Sequence, residues 1–215
     1  MNPRRLLLLG GGEHACVVAD VVVQSASHVI EGYADPRPDA PLGRWPHLRQ
    51  FTRDEDAVSH ARETSAALFV AMGGFGNGRV RQRIARAAES VGGAFPVLLH
   101  PRAVVSPHST IAQGTVVMAQ AVIQPFASLG IHCIVNTAVV VEHHVTVGDY
   151  VHLAPGVVVG GGATIGDFAA IGIGARVRDH VRIGAGATIG MGAVVTGDVP
   201  EAGRVVGHPA RPWTA

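Results

Sequence analysis

Beginning at Val105, every sixth residue is valine, isoleucine or leucine, and the series runs through sixteen positions to Val195 without an insertion. It passes Ile111, Val117, Ile123, Leu129, Val135, Val141 and Val147, then Leu153, Val159, Ile165, Ile171, Val177, Ile183 and Ile189. The residue two places earlier is small or valine throughout, from Ala103 through Cys133 and Val139 to Ala193. A six-residue period with an aliphatic and a small inward residue predicts a left-handed parallel β-helix. Each hexad makes one short strand and one corner, and three hexads close a triangular coil of 18 residues. Residues one coil apart then stack at the parallel-strand spacing, roughly 4.8 Å. An unbroken series of this length argues against a sandwich with irregular turns. Glycine often follows the aliphatic position, as at Gly130, Gly148, Gly160, Gly166, Gly172, Gly184 and Gly190. These glycines are expected at corners that need positive φ or a close backbone approach.

Residues 1–100 follow a different pattern. "RLLLLGGGEHACVVADVVVQSA" reads as an apolar strand, a glycine turn and a helix-period segment carrying Val17, Val18, Val21 and Val22. "VIEGYADP" reads as a second strand ending at Asp35 and "SAALFVAMGG" as a third. "RVRQRIARAAESVGG" is an amphipathic helix stopped by Gly92 and Gly93. Alternating strands and helices predict a small α/β, Rossmann-like sheet with a ligand site at the C-terminal ends of its strands. The expected organisation is therefore an α/β domain over 1–100 and an all-β helix with a C-terminal tail over 101–215. Gly10, Gly11 and Gly12 would admit a phosphate to a helix N-terminus. "GGGEHA" nevertheless lacks the third glycine of a dinucleotide fingerprint and carries Glu13 in the loop, so a plain strand-to-helix turn explains it equally well. Asp35 stands where an acidic residue commonly meets a ribose or base, and Gly73 and Gly74 would line the same crevice.

Composition narrows the partners. A net charge of +1 argues against nucleic acid or an anionic membrane, and no segment has the length of a membrane span. All 17 basic residues are arginine, which excludes a catalytic or phosphate-binding lysine. Cys16 and Cys133 fall in different domains, so no disulfide is expected and a reducing cytoplasm is the expected setting. The apolar run Leu6–Leu9 is too short, and its Gly10–His14 flank too polar, for a secretory leader.

The chemistry concentrates in "VVVEHHVTVGDYVHLAPG", residues 139–156. His143 falls two residues past the inward Val141, at a corner, and His152 precedes the inward Leu153 and is expected to face outward. Cys133 occupies an inward position, so neither cysteine is placed as a nucleophile. His108, His144 and His180 share one edge, but each pair is two coils apart, roughly 9.6 Å, with Phe126 and Gly162 between. That is too wide for one zinc ion within a chain. No metal is expected, although histidines from adjacent subunits leave a zinc-binding, γ-carbonic-anhydrase-like trimer as an alternative. His108, His132 and His180 are expected to be exposed corner residues.

Taken together, "GGGEHA", "VNTAVVVEHHVTVGDYVHLAPGVVVGGG" and the closing "GHPARP" resemble the sialic acid O-acetyltransferase and nucleotide-aminosugar N-acetyltransferase family over essentially the whole chain. The most specific part is Asn136, Thr137, Glu142 and His143, followed by His152. The resemblance implies a homotrimer that binds acetyl-CoA between neighbouring β-helices and a nucleotide sugar at the N-terminal domain. It implies His143 as general base, acetyl-CoA contacts at His152, Gly161 and Ile173, and sugar-nucleotide contacts at Gly12, Glu13, His14, Asp35 and Gly73. The expected reaction is acetylation of the amino group of a nucleotide-linked 4-amino-4,6-dideoxy sugar, in the cytoplasm and without a metal. O-acetylation of a sialic-acid-type sugar is the near alternative, and an inactive nucleotide-sugar-binding protein is another. An imidazole, whose ordinary pKa is roughly 6.5, suits removal of the amine proton. Two positions depart from the family pattern. His144 replaces the acidic residue that usually follows the base, leaving Glu142, Asp149 or a carboxylate of the next subunit for that role. Glu13 stands where glycine is common and would repel a diphosphate unless it points away.

Overall fold

A computed structural model describes residues 4–212 as two units that meet at Pro101 and Arg102. The first is a four-stranded parallel sheet in the order β3-β2-β1-β4, built from β1 (Arg4–Leu9), β2 (His28–Ala34), β3 (Arg49–Phe51) and β4 (Ala67–Val70). Helix α1 (Glu13–Ser25) links β1 to β2, α2 (Asp54–Thr64) links β3 to β4, and α3 (Gly78–Glu89) follows β4. Leu6–Leu9 are almost wholly inaccessible, as a parallel strand covered on both faces requires. Val18, Val21 and Val22 of α1 are buried, whereas Val17 is exposed. The sequence reading finds β1, β2, β4, α1 and α3 but not β3 or α2. The first is only three residues long, and the second begins with three acidic residues and carries a narrow apolar stripe of Ala57, Val58 and Ala61.

The second unit is the expected left-handed parallel β-helix. Through the hexad repeat its strands are two residues long and pair in parallel with strands 18 residues away, for example Val140↔Val158, Thr146↔Thr164 and His152↔Ala170. Three faces result. One carries Val140–Val141, the next Thr146–Val147 and the third His152–Leu153. The aliphatic residues from Val117 to Val195 and the small residues two places before them form one continuous buried core; Val105 and Ile111 in the first coil pack against it half-buried. With roughly 25 cal/mol gained per Å² of apolar surface removed from water, this interior is the main stabilising element of the unit.

The corners divide their work between two positions. Glycines that follow the aliphatic residue do not take positive φ. A Cβ on Gly148 would run into the Oδ1 and backbone nitrogen of Asp167 in the next coil, so close approach is what requires glycine there. The left-handed conformation falls two residues later and is not confined to glycine. Gln120, Phe126, His132, Ala138, His144, Tyr150, Phe168 and His180 hold φ between 52° and 64°. Their rings stack along the edges. His132, Tyr150 and Phe168 form a nearly parallel ladder with centroids 5.2 and 5.5 Å apart, and His132 is buried, not exposed as its corner position implied. Among the described residues, no helix is long and apolar enough to cross a membrane.

Candidate active site

His143 and His144 form the corner between the strands Val140–Val141 and Thr146–Val147, where Val139, Val141, Val145 and Val147 anchor the backbone inward. Both rings are therefore presented to solvent on a rigid turn. The two Nδ1 atoms lie 3.1 Å apart and the rings meet edge-on, with centroids separated by 5.3 Å. Two N–H groups cannot point at each other, so one proton lies between these nitrogens. When His143 donates it, the Nε2 of His143 carries a free lone pair. His144, at φ 59°, packs its other side against Phe126 (5.0 Å), which in turn stacks on His108 (5.9 Å). Phe126 thus physically separates His108 from His144. Among the described residues, no three His, Cys, Asp or Glu side chains are grouped to hold a metal ion.

One coil further on, Gly161 lies directly against His143. A Cβ there would stand 2.7 and 2.8 Å from the Cε1 and Nε2 of the imidazole. The carbonyl of His143 also accepts the N–H of Gly162 at 2.9 Å, tying the corner to the coil after it. Glu142 is half-buried, and its N–H belongs to the ladder through Val159 O (3.0 Å). Asp149 occupies a different corner, where its Oδ1 accepts the N–H of Ile131 at 2.9 Å, so within the chain it is committed to the backbone and does not back His143. His152 and Ile173 do not join this corner. His152 points out of the third face as the alternation requires, and it is only 9% exposed. Ile173 is exposed, together with Met191 one coil on, at the corner that follows that face.

In the N-terminal unit, Gly12, Glu13, His14, Asp35 and Gly73 line a single cleft of about 300 Å³ at the C-terminal ends of the strands. Gly12 is the N-cap of α1, and Glu13 lies in its first turn. His14 packs onto Gly73, where a Cβ would stand 2.6 Å from the His14 Cβ and Cγ. Asp35, buried at the end of β2, accepts the N–H of Gly11 (3.1 Å) and is gripped by Arg37. That guanidinium holds the Asp35 carboxyl below the usual carboxylate range, against the opposing effect of burial. Arg37 also lines the cleft and was not singled out in the sequence. Its only local signal is the short spacing Asp35–Pro36–Arg37, which does not reveal that the side chain folds back. A larger cavity of about 570 Å³, walled by Leu9, Val58, Met72, Val80 and Ile84, is lined by none of the expected substrate residues.

Comparison with known proteins accords with both units. Residues 5–88 match the family described as PglD N-terminal domain, and residues 162–197 match the bacterial transferase hexapeptide family of six repeats. No curated protein matches the chain. The acetyltransferase domain of PglB from Neisseria gonorrhoeae, solved with acetyl coenzyme A, is 34% identical with a TM-score of 0.87, over 99% of this chain and 100% of that one. A histidine-to-alanine mutant of GDP-perosamine N-acetyltransferase from Caulobacter crescentus, solved with CoA and GDP-perosamine, is 32% identical with a TM-score of 0.88, over 98% and 97%. WeeI from Acinetobacter baumannii is 25% identical with a TM-score of 0.75, over 98% and 100%. With two aligned units and these identities over full length, the chain belongs to the nucleotide-aminosugar N-acetyltransferase family.

Proposed function

We propose that the protein transfers the acetyl group of acetyl-CoA to the amino group of a nucleotide-linked 4-amino-4,6-dideoxy sugar, with His143 as general base. The observation that carries this reading is the exposed imidazole of His143, its Nδ1 engaged by His144 and its ring seated on Gly161. Similarity to enzymes solved with acetyl-CoA, and with CoA and GDP-perosamine, supports the choice of substrates.

In the reaction, Nε2 of His143 accepts a proton from the sugar amine as its nitrogen attacks the thioester carbonyl carbon. The tetrahedral intermediate collapses with cleavage of the C–S bond, and the departing CoA thiolate takes up a proton. No covalent enzyme intermediate forms, consistent with the burial of Cys133 in the prism. His144 acts as acceptor for the Nδ1–H of His143, which fixes the tautomer that leaves Nε2 basic. It thereby takes over, without a negative charge, the orienting part of the role an acidic neighbour would play. The acetyl-CoA groove in this reading lies between neighbouring β-helices of a cytoplasmic homotrimer, and the exposed apolar residues Ile173 and Met191 support such a surface.

The test is acetyl transfer against a panel of UDP-, GDP-, dTDP- and CMP-linked amino sugars. His143→Ala is expected to lower kcat by about 10²–10⁴ with no change in melting temperature, because the side chain is exposed. Near-wild-type turnover by that variant would refute the assignment.

A further inference from the structure

Asp35 has no capacity left for a ligand. Its Oδ2 accepts the N–H of Gly11 (3.1 Å) and the Nη2 of Arg37 (2.8 Å), while its Oδ1 accepts the backbone N–H (3.0 Å) and the Nε (2.9 Å) of Arg37. A carboxylate offers about four acceptor sites, and all four are engaged. The segment is braced from β3 as well. Gln50 donates through Nε2 to the carbonyls of Asp35 (2.9 Å) and Arg37 (2.7 Å), and its Oε1 accepts the hydroxyl of Tyr33 at 3.0 Å. Arg37 is therefore held in one orientation by a buried carboxylate and a braced backbone, although its side chain is 56% exposed.

A guanidinium has five N–H groups in a rigid fork. Two are spent on Asp35, so three remain, and the group lines the cleft with its Nη2 3.5 Å from the point where a Cβ on Gly12 would stand. What this fork can meet is a group that accepts hydrogen bonds, and an anionic, multidentate acceptor suits it best. Resting on the reading that the protein binds a nucleotide sugar, we propose that Arg37 holds the phosphoryl oxygens of the nucleotide diphosphate, and that Asp35 is a positioning residue acting through Arg37. Planar, preorganised recognition of phosphate is the chemistry for which arginine is suited. The arrangement also bears on Glu13, because guanidinium donors in the same cleft offset the repulsion its carboxylate would exert on a diphosphate.

The test is calorimetric titration of wild type and Arg37→Gln with UDP and GDP, and with uridine and guanosine as phosphate-free probes. The substitution is expected to weaken nucleoside diphosphates by about 10- to 100-fold, the range for charge-assisted hydrogen bonds, and to leave the nucleosides unchanged. Asp35→Asn added to Arg37→Gln is expected to cost nothing further. Equal diphosphate binding by wild type and Arg37→Gln would overturn the proposal, as would an equal loss of nucleoside, or a further loss in the double variant. If wild type binds none of the four, the nucleotide-sugar reading falls with it, whereas wild-type binding with an indifferent Arg37→Gln removes Arg37 alone. Should Arg37→Gln melt below the assay temperature, Arg37→Lys carries the same comparison. It keeps the charge without the fork and is expected to lose several-fold affinity for the diphosphates only; full affinity would count against the proposal.

Discussion

Replacing Gly161 with alanine adds one methyl group against the face of the proposed base. The new Cβ would stand 2.7 Å from Cε1 and 2.8 Å from Nε2 of His143, while ordinary van der Waals contact begins near 3.4 Å. The imidazole must therefore retreat by about 0.7 Å. Because it is an exposed side chain and not a packed backbone, the fold yields easily, and the stability change should stay within about 0.5 kcal/mol. Catalysis is less forgiving, since misplacing a reacting group by about 1 Å can cost 10²-fold. Gly161→Ala is thus expected to lower kcat by roughly 10- to 50-fold, inside the limit set by losing the base altogether. Steady-state kinetics with the sugar nucleotide found by the panel, alongside a thermal melt, measure both effects. Gly162→Ala is the control. Its φ of +67° lies in the left-handed region, so alanine there should cost about 1–2 kcal/mol of stability while kcat changes little. A Gly161→Ala enzyme with wild-type kcat would show that the position of the His143 ring does not matter, and the base assignment would lose its geometric support.

Two further outcomes follow from the same residues. His144→Gly suits the local φ of 59° and removes the Nδ1 partner, so kcat should fall about 10-fold without loss of melting temperature. His144→Asp should restore turnover and move the acid limb of the kcat/KM profile up by roughly one pH unit, because a carboxylate stabilises a neighbouring imidazolium; identical profiles for all three proteins would refute the pairing. The carboxyl of Asp35 is lowered chiefly by Arg37, so its contribution to stability is fully present above the ordinary aspartate value, about 3.9, and is lost as pH falls through the folded value. Urea unfolding from pH 6 downward should therefore show a gap between wild type and Arg37→Gln that closes in acid, and a pH-independent gap would contradict it.

How much of this was legible in the sequence differs by position. Inward residues such as Val141 and Leu153 repeat without exception because each fills the same prism, and a wrong side chain there has nowhere to go. His143 is legible for the same reason, since the residues before and after it leave no choice of corner. The left-handed positions are harder, because Phe126, His132, His144 and Ala138 share one backbone conformation and almost no chemistry. Burial of His132 and His152 could not be inferred, because alternation shows which way a side chain points but not what covers that face. Arg37 was missed because its role depends on a two-residue fold-back onto Asp35, held by Gln50 from a strand of only three residues.

The stacking of coils has a consequence for how such a chain can change. Removing one hexad from the β-helix would leave the aliphatic series intact, yet every later corner would rotate by a third of a turn. The interior tolerates shifts of six residues, but where the change falls between their members, the columns that set His143 upon Gly161, and Phe126 against His144, survive only shifts of 18. Length variation between His143 and Gly161 that is invisible to packing would therefore dismantle the proposed catalytic corner, and two chains with equally regular hexads need not carry comparable surfaces.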